Sequence, residues 1–438
     1  MESPLAQDWK SNSYWLDGVR ESPNLPVNPA SEVDVLVVGS GFTGLNASIQ
    51  TAKAGRSTMV LDALDPGLGC STRNGGQIST SVKPSLDKLT TRFGLEKALA
   101  IRKEGETALQ WISDFVEVEK IACDFKHAGR FHAAHTPKHY DEIAFSADKM
   151  RTTEGIESYV VPRSNQRQEL GSDAYYGGVV FTKHSSLNPA KYHRGLLDKA
   201  LSLGVHVTGN CAVQSLKKVS GGFLVSTEKG IVRARDVIVA TNGYTTSLTP
   251  WLQRRVIPIG SYIIATEPLP EVLMNTLFPK DRIASDTCKV VYYYRASPDR
   301  KRILFGGRVS ARETNTAISG PKLYQDLCRI FPELSSYKIT HSWMGFVAYT
   351  FDELAHTGVH DGVHYAMGYC GSGVSMASYL GMRLGQKVLG LKEGQTAFDG
   401  LPQPTRPFYS GKPWFLPAAV GWYRWRDRLQ CQLAASKG

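Results

Sequence analysis

The most uniformly apolar stretch near the start of the chain is Val33 to Val38, within "EVDVLVVGSGFTGLNASIQTAKAG". It is rich in β-branched residues, which predicts a strand buried on both faces. After Gly44 the period changes. "LNASIQTAKAG" places small and apolar residues at helical spacing and stops at Gly55, and "STMVLDA" returns to a strand pattern. Strand, tight turn, helix and strand therefore follow one another within about thirty residues. Farther on, "GVHVTGNCAVQSLKKVSGGFLVSTEKGIVRARDVIVATNGYT" reads as several strands, the last turning sharply at Gly243. "GVHYAMGYCGSGVSMASYLGMRLGQKVLG" reads as strand, glycine turn and helix, with Gly371 and Gly373 at the helix start. "SYIIATEPL" and "RKRILFGGR" have antiparallel character, unlike the early unit.

Composition narrows the class. A chain of 438 residues, 42% hydrophobic and 21% charged, has room for more than one core. No run approaches the ~18 apolar residues of a membrane-spanning helix. The opening "MESPLAQDWKSNSYW" has no basic segment followed by an apolar one, so no signal peptide is expected. Seven scattered cysteines lack metal or disulfide spacing, which fits a reducing compartment, the cytoplasm. The net charge of +11 is dispersed and not gathered into a patch with aromatics, so a nucleic-acid partner is not expected. Residues 406–425, "RPFYSGKPWFLPAAVGWYRW", depart from the rest in composition. Their prolines suggest an extended tail packed across the protein without stable membrane insertion.

The spacing Gly39-x-Gly41-x-x-Gly44 carries the first chemistry. Gly39 permits the turn, Gly41 lets backbone approach a pyrophosphate, and Gly44 lets the helix pack against the strand. The helix N-terminus offers free N–H groups to the phosphate. Asp62, at the end of the second strand, is placed to accept hydrogen bonds from a ribose diol. No second GxGxxG and no early cysteine pair is present, which argues against a disulfide reductase using both FAD and NAD. "GCSTRNGGQ" follows the second strand and suits a backbone that hugs a polar ring and a phosphate.

The motifs "VVGSGFTGL", "GCSTRNGGQ", "HSSLNPAKY", "VIVATNGY", "YYYRASPDRKRILFGGR", "SWMGFVAYTFDELAHTG" and "GYCGSGV" span nearly the whole chain. On these residues the chain resembles the D-amino-acid oxidase superfamily of FAD-dependent oxidoreductases, and within it the gamma-glutamylputrescine oxidase branch. The resemblance implies an α/β fold in which a Rossmann-type FAD-binding lobe is interleaved with a mixed-sheet α+β substrate lobe. The FAD lobe is expected from residues 31–90, 185–255 and 341–400, the substrate lobe from 91–184 and 256–340, and an aromatic tail from 401–438. FAD contacts are expected at Gly39, Gly41, Phe42, Thr43 and Gly44, then at Asp62 and Ala63. The loop Ser71, Thr72, Arg73, Asn74, Gly75, Gly76 and Gln77 follows. Ala212 and Val213, then Thr241, Asn242 and Gly243, come from the middle segment. Gly345, Gly371, Ser372, Gly373, Val374 and Ser375 complete the set. The helix after Gly373 would steady charge on the reduced ring through its dipole. Relatives usually carry His where Ser372 stands.

The implied reaction moves hydride from a CH–NH group to the flavin and leaves an imine that water hydrolyses, with O2 or another acceptor taking the electrons. It calls for no nucleophile or metal, and no catalytic side chain is assigned. Covalent attachment in relatives uses a Cys, where Tyr292 stands, or a His, where Arg73 and Asn74 stand, so non-covalent FAD is expected. Three positions that are basic in relatives acting on small α-amino acids are Gln77, Val347 and Ser375 here. A glycine- or sarcosine-like substrate is therefore disfavoured, and a long amine is favoured whose carboxylate stays near the entrance. Tyr262, Tyr292 and Tyr294 are candidates for its apolar slot, with Trp343 beside them and Arg308 as a charge partner. The alternative is a cyclic or N-alkylated amino-acid oxidase or dehydrogenase, such as one acting on L-pipecolate.

Overall fold

The computed structural model describes residues 3–19, 23–308 and 313–435. The early apolar run becomes the strand Glu32–Val38, paired in parallel with Thr58–Leu61 on one side and Gly230–Val239 on the other. His206–Thr208 extends this parallel group past Thr58–Leu61, and Val363–Met367 pairs in parallel with Gly230–Val239. The carboxyl ends of these strands therefore share one edge. Both faces of Glu32–Val38 are covered, as its lack of polar alternation predicts. Val35 and Val37 pack with the helices Phe42–Lys53, Pro189–Ser202 and Gly373–Val388. Leu36 and Val38 face the other way, toward Phe223 and Val225 of an antiparallel ribbon.

Among the described residues, the second sheet has nine strands. Its middle is the run Ile339–Tyr349, Ile257–Thr266, Ile303–Gly307, Tyr293–Ala296, Ile283–Asp286 and Arg130–Ala133. One face is closed. Phe131, Tyr262, Ile264, Tyr294 and Phe305 pack there with Leu323 and Leu327 of helix Thr316–Ile330. The opposite face turns toward the first lobe.

Two segment boundaries fall elsewhere than the motifs imply. Strand Ile339–Tyr349 runs across position 341 and belongs to the nine-stranded sheet. Helix Leu95–Val118, expected in the substrate lobe, buries Ala98, Ile101, Ala108 and Ile112 in the core of the dinucleotide lobe. The tail is extended only at first, with Tyr409 Oη donating to Val256 O at 2.6 Å. It then becomes the helix Leu416–Ala435, not a continued extended path. Pro417 sits in the first turn, where a missing N–H costs nothing, and good helix formers follow it. Asp427 points inward and accepts from the backbone N–H groups of Lys289 and Val290 at 3.1 and 3.0 Å. Trp414, Trp422 and Trp425 face outward. Among the described residues, no helix is long and apolar enough to cross a membrane.

Candidate functional site

Three turns meet at the carboxyl edge of the parallel strands. Gly39 follows Val38 with φ +104°, and a Cβ there would stand 3.0 Å from Ala240 O, in the turn after Val239. Gly44 is tighter: a Cβ would lie 1.9 Å from Gly39 O. These two glycines are required by the chain's own packing. Gly41 caps the helix Phe42–Lys53 without a side-chain bond, and Phe42 N donates to Ser71 Oγ at 3.0 Å. Thr43 is buried against Tyr369, its Oγ1 2.6 Å from the phenol oxygen. Asn242 adopts φ +44° and accepts at Oδ1 from Gly368 N at 2.9 Å, which ties the second turn to the third. Thr241 bonds Thr245 at 2.8 Å, and Gly243 leaves room for Phe346, whose Cβ would be 3.2 Å from an added one.

Asp62 stands just past its strand, as the sequence suggests, but its carboxylate is turned into the first loop. Oδ2 accepts from Ser40 N and Oγ at 2.8 and 2.6 Å, and Oδ1 from Leu64 N at 3.0 Å. Two carboxylate oxygens offer about four acceptor sites, so room for a diol remains. Exposed Ala63 follows it. The Cys211 N–H donates to Asp62 O at 2.8 Å and so brings Ala212 and Val213 alongside.

The loop after Cys70 is held from outside through its carbonyls. Thr72 O accepts from Ser13 Oγ at 2.8 Å, Arg73 O from Trp343 Nε1 at 3.0 Å, and Asn74 O from Trp15 Nε1 at 2.7 Å. Gly76 O accepts from Arg295 Nη1 at 3.1 Å. Asn74 Oδ1 accepts from Gly76 N at 2.8 Å and closes the turn. Gln77 Nε2 donates to the carbonyls of Tyr294 and Ala284 at 3.1 and 3.3 Å. Gly345 lets its strand approach, with the Arg73 Cβ 3.1 Å from an added carbon. Trp343 is thus a buried support for the loop and not a wall for substrate.

The third turn differs from the first. Gly371 has φ +97°, yet the nearest atoms to an added Cβ are Tyr349 Oη at 3.8 Å and Lys83 Cε at 3.9 Å. At Gly373 nothing lies within 4 Å. Ser372 Oγ donates to Ser81 O at 2.6 Å and does not cap its helix, and Ser375 Oγ donates to Ser79 O at 3.4 Å. Buried Val374 anchors the first turn between them. Two helix N-termini whose own N-cap residues make no side-chain bond, one meeting Ser71 Oγ and the other beside open space, are brought together by the strands they follow. That arrangement fits a dinucleotide whose pyrophosphate and ring carry negative charge.

The aromatic candidates lie on the wrong face of the second sheet for a slot beside the glycine loops. Tyr294 is 1% exposed, and its hydroxyl donates to Tyr175 Oη at 3.0 Å within the closed core. Tyr292 stacks on Phe305 and donates to Asp326 at 2.6 Å. Tyr262 is fully buried, bonds Glu313 at 2.8 Å, and has its pKa pushed up to about 12 by desolvation. Arg308 donates to Gly260 O at 2.8 Å and pairs with Glu313 at 3.1 Å, a structural role. Strand alternation puts the intervening residue on the loop-facing side. Tyr293 lies against Gly306 and against Gly75, 2.9 Å from an added Cβ on the latter, and its hydroxyl is 2.8 Å from Ser261 Oγ.

Across the ladder that face continues through Ser285 to His132 and Arg130. His132 Nδ1 is 3.0 Å from Ser285 Oγ, and Arg130 Nη2 donates to Gln77 Oε1 at 3.3 Å. Neither basic residue was marked by the sequence motifs. The signal was the alternation in "RFHA", where Phe131 and Ala133 enter the closed core and the basic pair takes the other side. Cys288 is held protonated by burial and by nearby Asp286 and Asp427, toward the C-terminal helix.

The same architecture occurs in glycine oxidase from Geobacillus kaustophilus (TM-score 0.70, 17% identity, covering 86% of this chain and 99% of that one). It also occurs in L-proline dehydrogenase from P. horikoshii (TM-score 0.68, 15% identity, 89% and 99% covered). In sequence the chain is 30% identical to the gamma-glutamylputrescine oxidoreductase of Escherichia coli over 428 residues, covering 96% of this chain and 98% of the relative. A probable oxidoreductase, OrdL, from Rhizobium meliloti is 30% identical over 438 residues, covering 98% and 99%. Residues 34–387 match the family model described as DAO: FAD dependent oxidoreductase. On that match and the near-full-length 30% identity, this chain belongs to the DAO family of FAD-dependent oxidoreductases.

Proposed function

We propose that this chain oxidises the terminal amine of a gamma-glutamylated diamine, with oxygen as acceptor and FAD held without a covalent bond. The observation that carries this reading is the 30% identity to the E. coli gamma-glutamylputrescine oxidoreductase, sustained over nearly the full length of both chains. In balance, amine, O2 and water give aldehyde, ammonia and hydrogen peroxide. FAD, when bound, supplies the two-electron acceptor. The chain's own part is to hold and orient. The loop Ser71–Gln77 and the two helix N-termini cradle the cofactor, while Tyr293 and Ser261 line the side of the sheet that faces it. The side chains at two positions that are basic in relatives acting on small amino acids are neutral and tied to carbonyls, Gln77 to Tyr294 O and Ser375 to Ser79 O. Tyr292, Arg73 and Asn74 stand where relatives attach FAD covalently, and none offers a thiol or imidazole.

The test is anaerobic flavin bleaching in a stopped-flow instrument. Gamma-glutamylputrescine is expected to reduce the flavin at least about a hundredfold faster than glycine or sarcosine, about 2.7 kcal/mol in barrier. Equal or faster bleaching by the small amino acids overturns the reading. Acid precipitation is expected to release all the yellow colour into the supernatant.

A further inference from the structure

Basic side chains gather between the loop-facing side of the second sheet and the loops beside it, two of them cations, Arg130 and Lys83, with no acid among them. Arg130 is half-buried, its Nε has no partner, and its one hydrogen bond among the described residues goes to the neutral amide of Gln77. A guanidinium does not shed its proton in a protein, so its desolvation stays uncompensated until an anion arrives. Burial pushes its pKa down to about 10, and no carboxylate opposes that shift. Its neighbours supply no counter-charge. His132 is pushed down to about 4, first by burial and then by Arg130 and Lys83. His184 accepts from Thr80 N at 3.3 Å through Nε2, which leaves Nδ1 a buried donor with no partner. Lys83 is exposed, forms no ion pair among the described residues, and reaches the Gly371 turn. The group thus extends from Gln77, two residues past Gly75, to the open N-terminus of helix Gly373–Val388.

We propose that Arg130, with Lys83 beside it, anchors a carboxylate on the substrate, so that the enzyme selects amines by an acidic end as well as by the amine. This rests on the reading above, in which the acidic end is the glutamyl carboxylate. Arg presents paired N–H donors that match a carboxylate in two-point contact, and the orphaned Nε adds a third. Such an anchor, on the loop-facing side and bonded to Gln77, would hold the carboxylate beside the cofactor loop and not near the entrance, where the sequence pattern places it.

The probes are glutarate and its neutral diamide, titrated into the FAD-loaded protein and followed by calorimetry and by perturbation of the flavin spectrum. Wild-type protein is expected to bind glutarate at least about tenfold tighter than the diamide, the scale of one charge-assisted contact. In Arg130→Met that preference disappears, and Arg130→Lys retains part of it. Lys83→Met, an exposed change that leaves folding intact, weakens the preference. Should Arg130→Met fail to hold FAD, Lys83→Met decides alone, because full retention of the preference there overturns the anchor. Retention in a well-loaded Arg130→Met does the same. If gamma-glutamylputrescine is not oxidised but glutarate binding still depends on Arg130, the proposed substrate falls and the anchor stands. If it is oxidised with an unchanged KM in both variants, the anchor falls and the substrate stands.

Discussion

The glycine turns at Gly39–Gly44 and at Gly371–Gly373 look alike in sequence, each leading from an apolar strand into a helix. In space they answer different demands. A side chain at Gly44 would collide with backbone 1.9 Å away, while one at Gly373 would meet nothing within 4 Å. Gly373 is only partly buried at the start of its helix, so nothing in the chain's own packing demands a glycine there. The first turn therefore bears on whether the lobe folds. The second is not demanded by that packing, and on the proposed reading it bears on what the lobe holds.

Gly44→Ala should have the largest effect. The obstructing atom is a carbonyl oxygen, which cannot swing aside as a flexible side chain would, so helix Phe42–Lys53 must lift from its strand. Overpacking of this kind costs roughly 1–3 kcal/mol and more where backbone is the obstacle, and the FAD lost with it adds the cofactor's own contribution, so the total exceeds that of removing FAD alone. Urea denaturation should show a lowered midpoint together with loss of FAD. A wild-type midpoint would mean that the helix has slack which the contact distance does not suggest.

Removal of FAD comes next. A ligand bound only by the folded state, held at about a thousand times its Kd, contributes about 4 kcal/mol. Wild-type protein stripped of FAD should melt lower by that measure, and added FAD should restore the transition in a concentration-dependent way. An unchanged melting curve would mean that the space at the second turn has little to do with the cofactor.

How much of this was legible in the chain depends on distance along it. The first strand, its helix and the returning strand are local and periodic, and the glycine spacing between them is enough to point to a dinucleotide. The turn at Gly371–Gly373 was legible for the same reason. The contacts that hold the Cys70–Gln77 loop were not, because they come from Trp15, Arg295 and Trp343, far away in sequence. In "YYYR" three successive tyrosines carry no alternation, so the pattern could not say which one faces the loop. Register decides it, through Gly306 and Gly75 making room for the Tyr293 ring. The inward turn of Asp62 likewise depends on Ser40, whose N–H and hydroxyl take one of its oxygens. The tail misled because its prolines and tryptophans drew attention from the helix formers after Pro417.

Gly371→Ala separates strain from space at the second turn. An added methyl has room there, but φ +97° is a conformation that side-chain-bearing residues rarely adopt. Holding alanine in it costs about 1–3 kcal/mol. The FAD-free protein should lose stability by that amount, less than Gly44→Ala, with no collision to blame. A loss as large as that of Gly44→Ala would mean that this turn too is packed against the chain.

Gly373→Ala should leave the stability of the FAD-free protein least changed, and it is the sharpest test of the difference between the turns. The position is helical, its φ needs no glycine, and an added methyl touches nothing. Replacing glycine by alanine at a helix start favours the helix if it does anything. The FAD-free variant should therefore unfold within about 0.5 kcal/mol of wild type. On the proposed reading FAD should notice, because a methyl at the mouth of this helix would occupy space where the helix N–H groups are to meet the ring. A loss of about 1.4 kcal/mol there is a tenfold rise in Kd. The measurement is a flavin titration of the stripped protein beside a denaturation curve of the same sample. Unchanged stability with weakened FAD binding confirms that the second turn is shaped by its ligand. Unchanged stability with unchanged binding would leave the open space at Gly373 without a tenant and return the cofactor to the first turn alone. A large loss of stability would erase the distinction between the two turns.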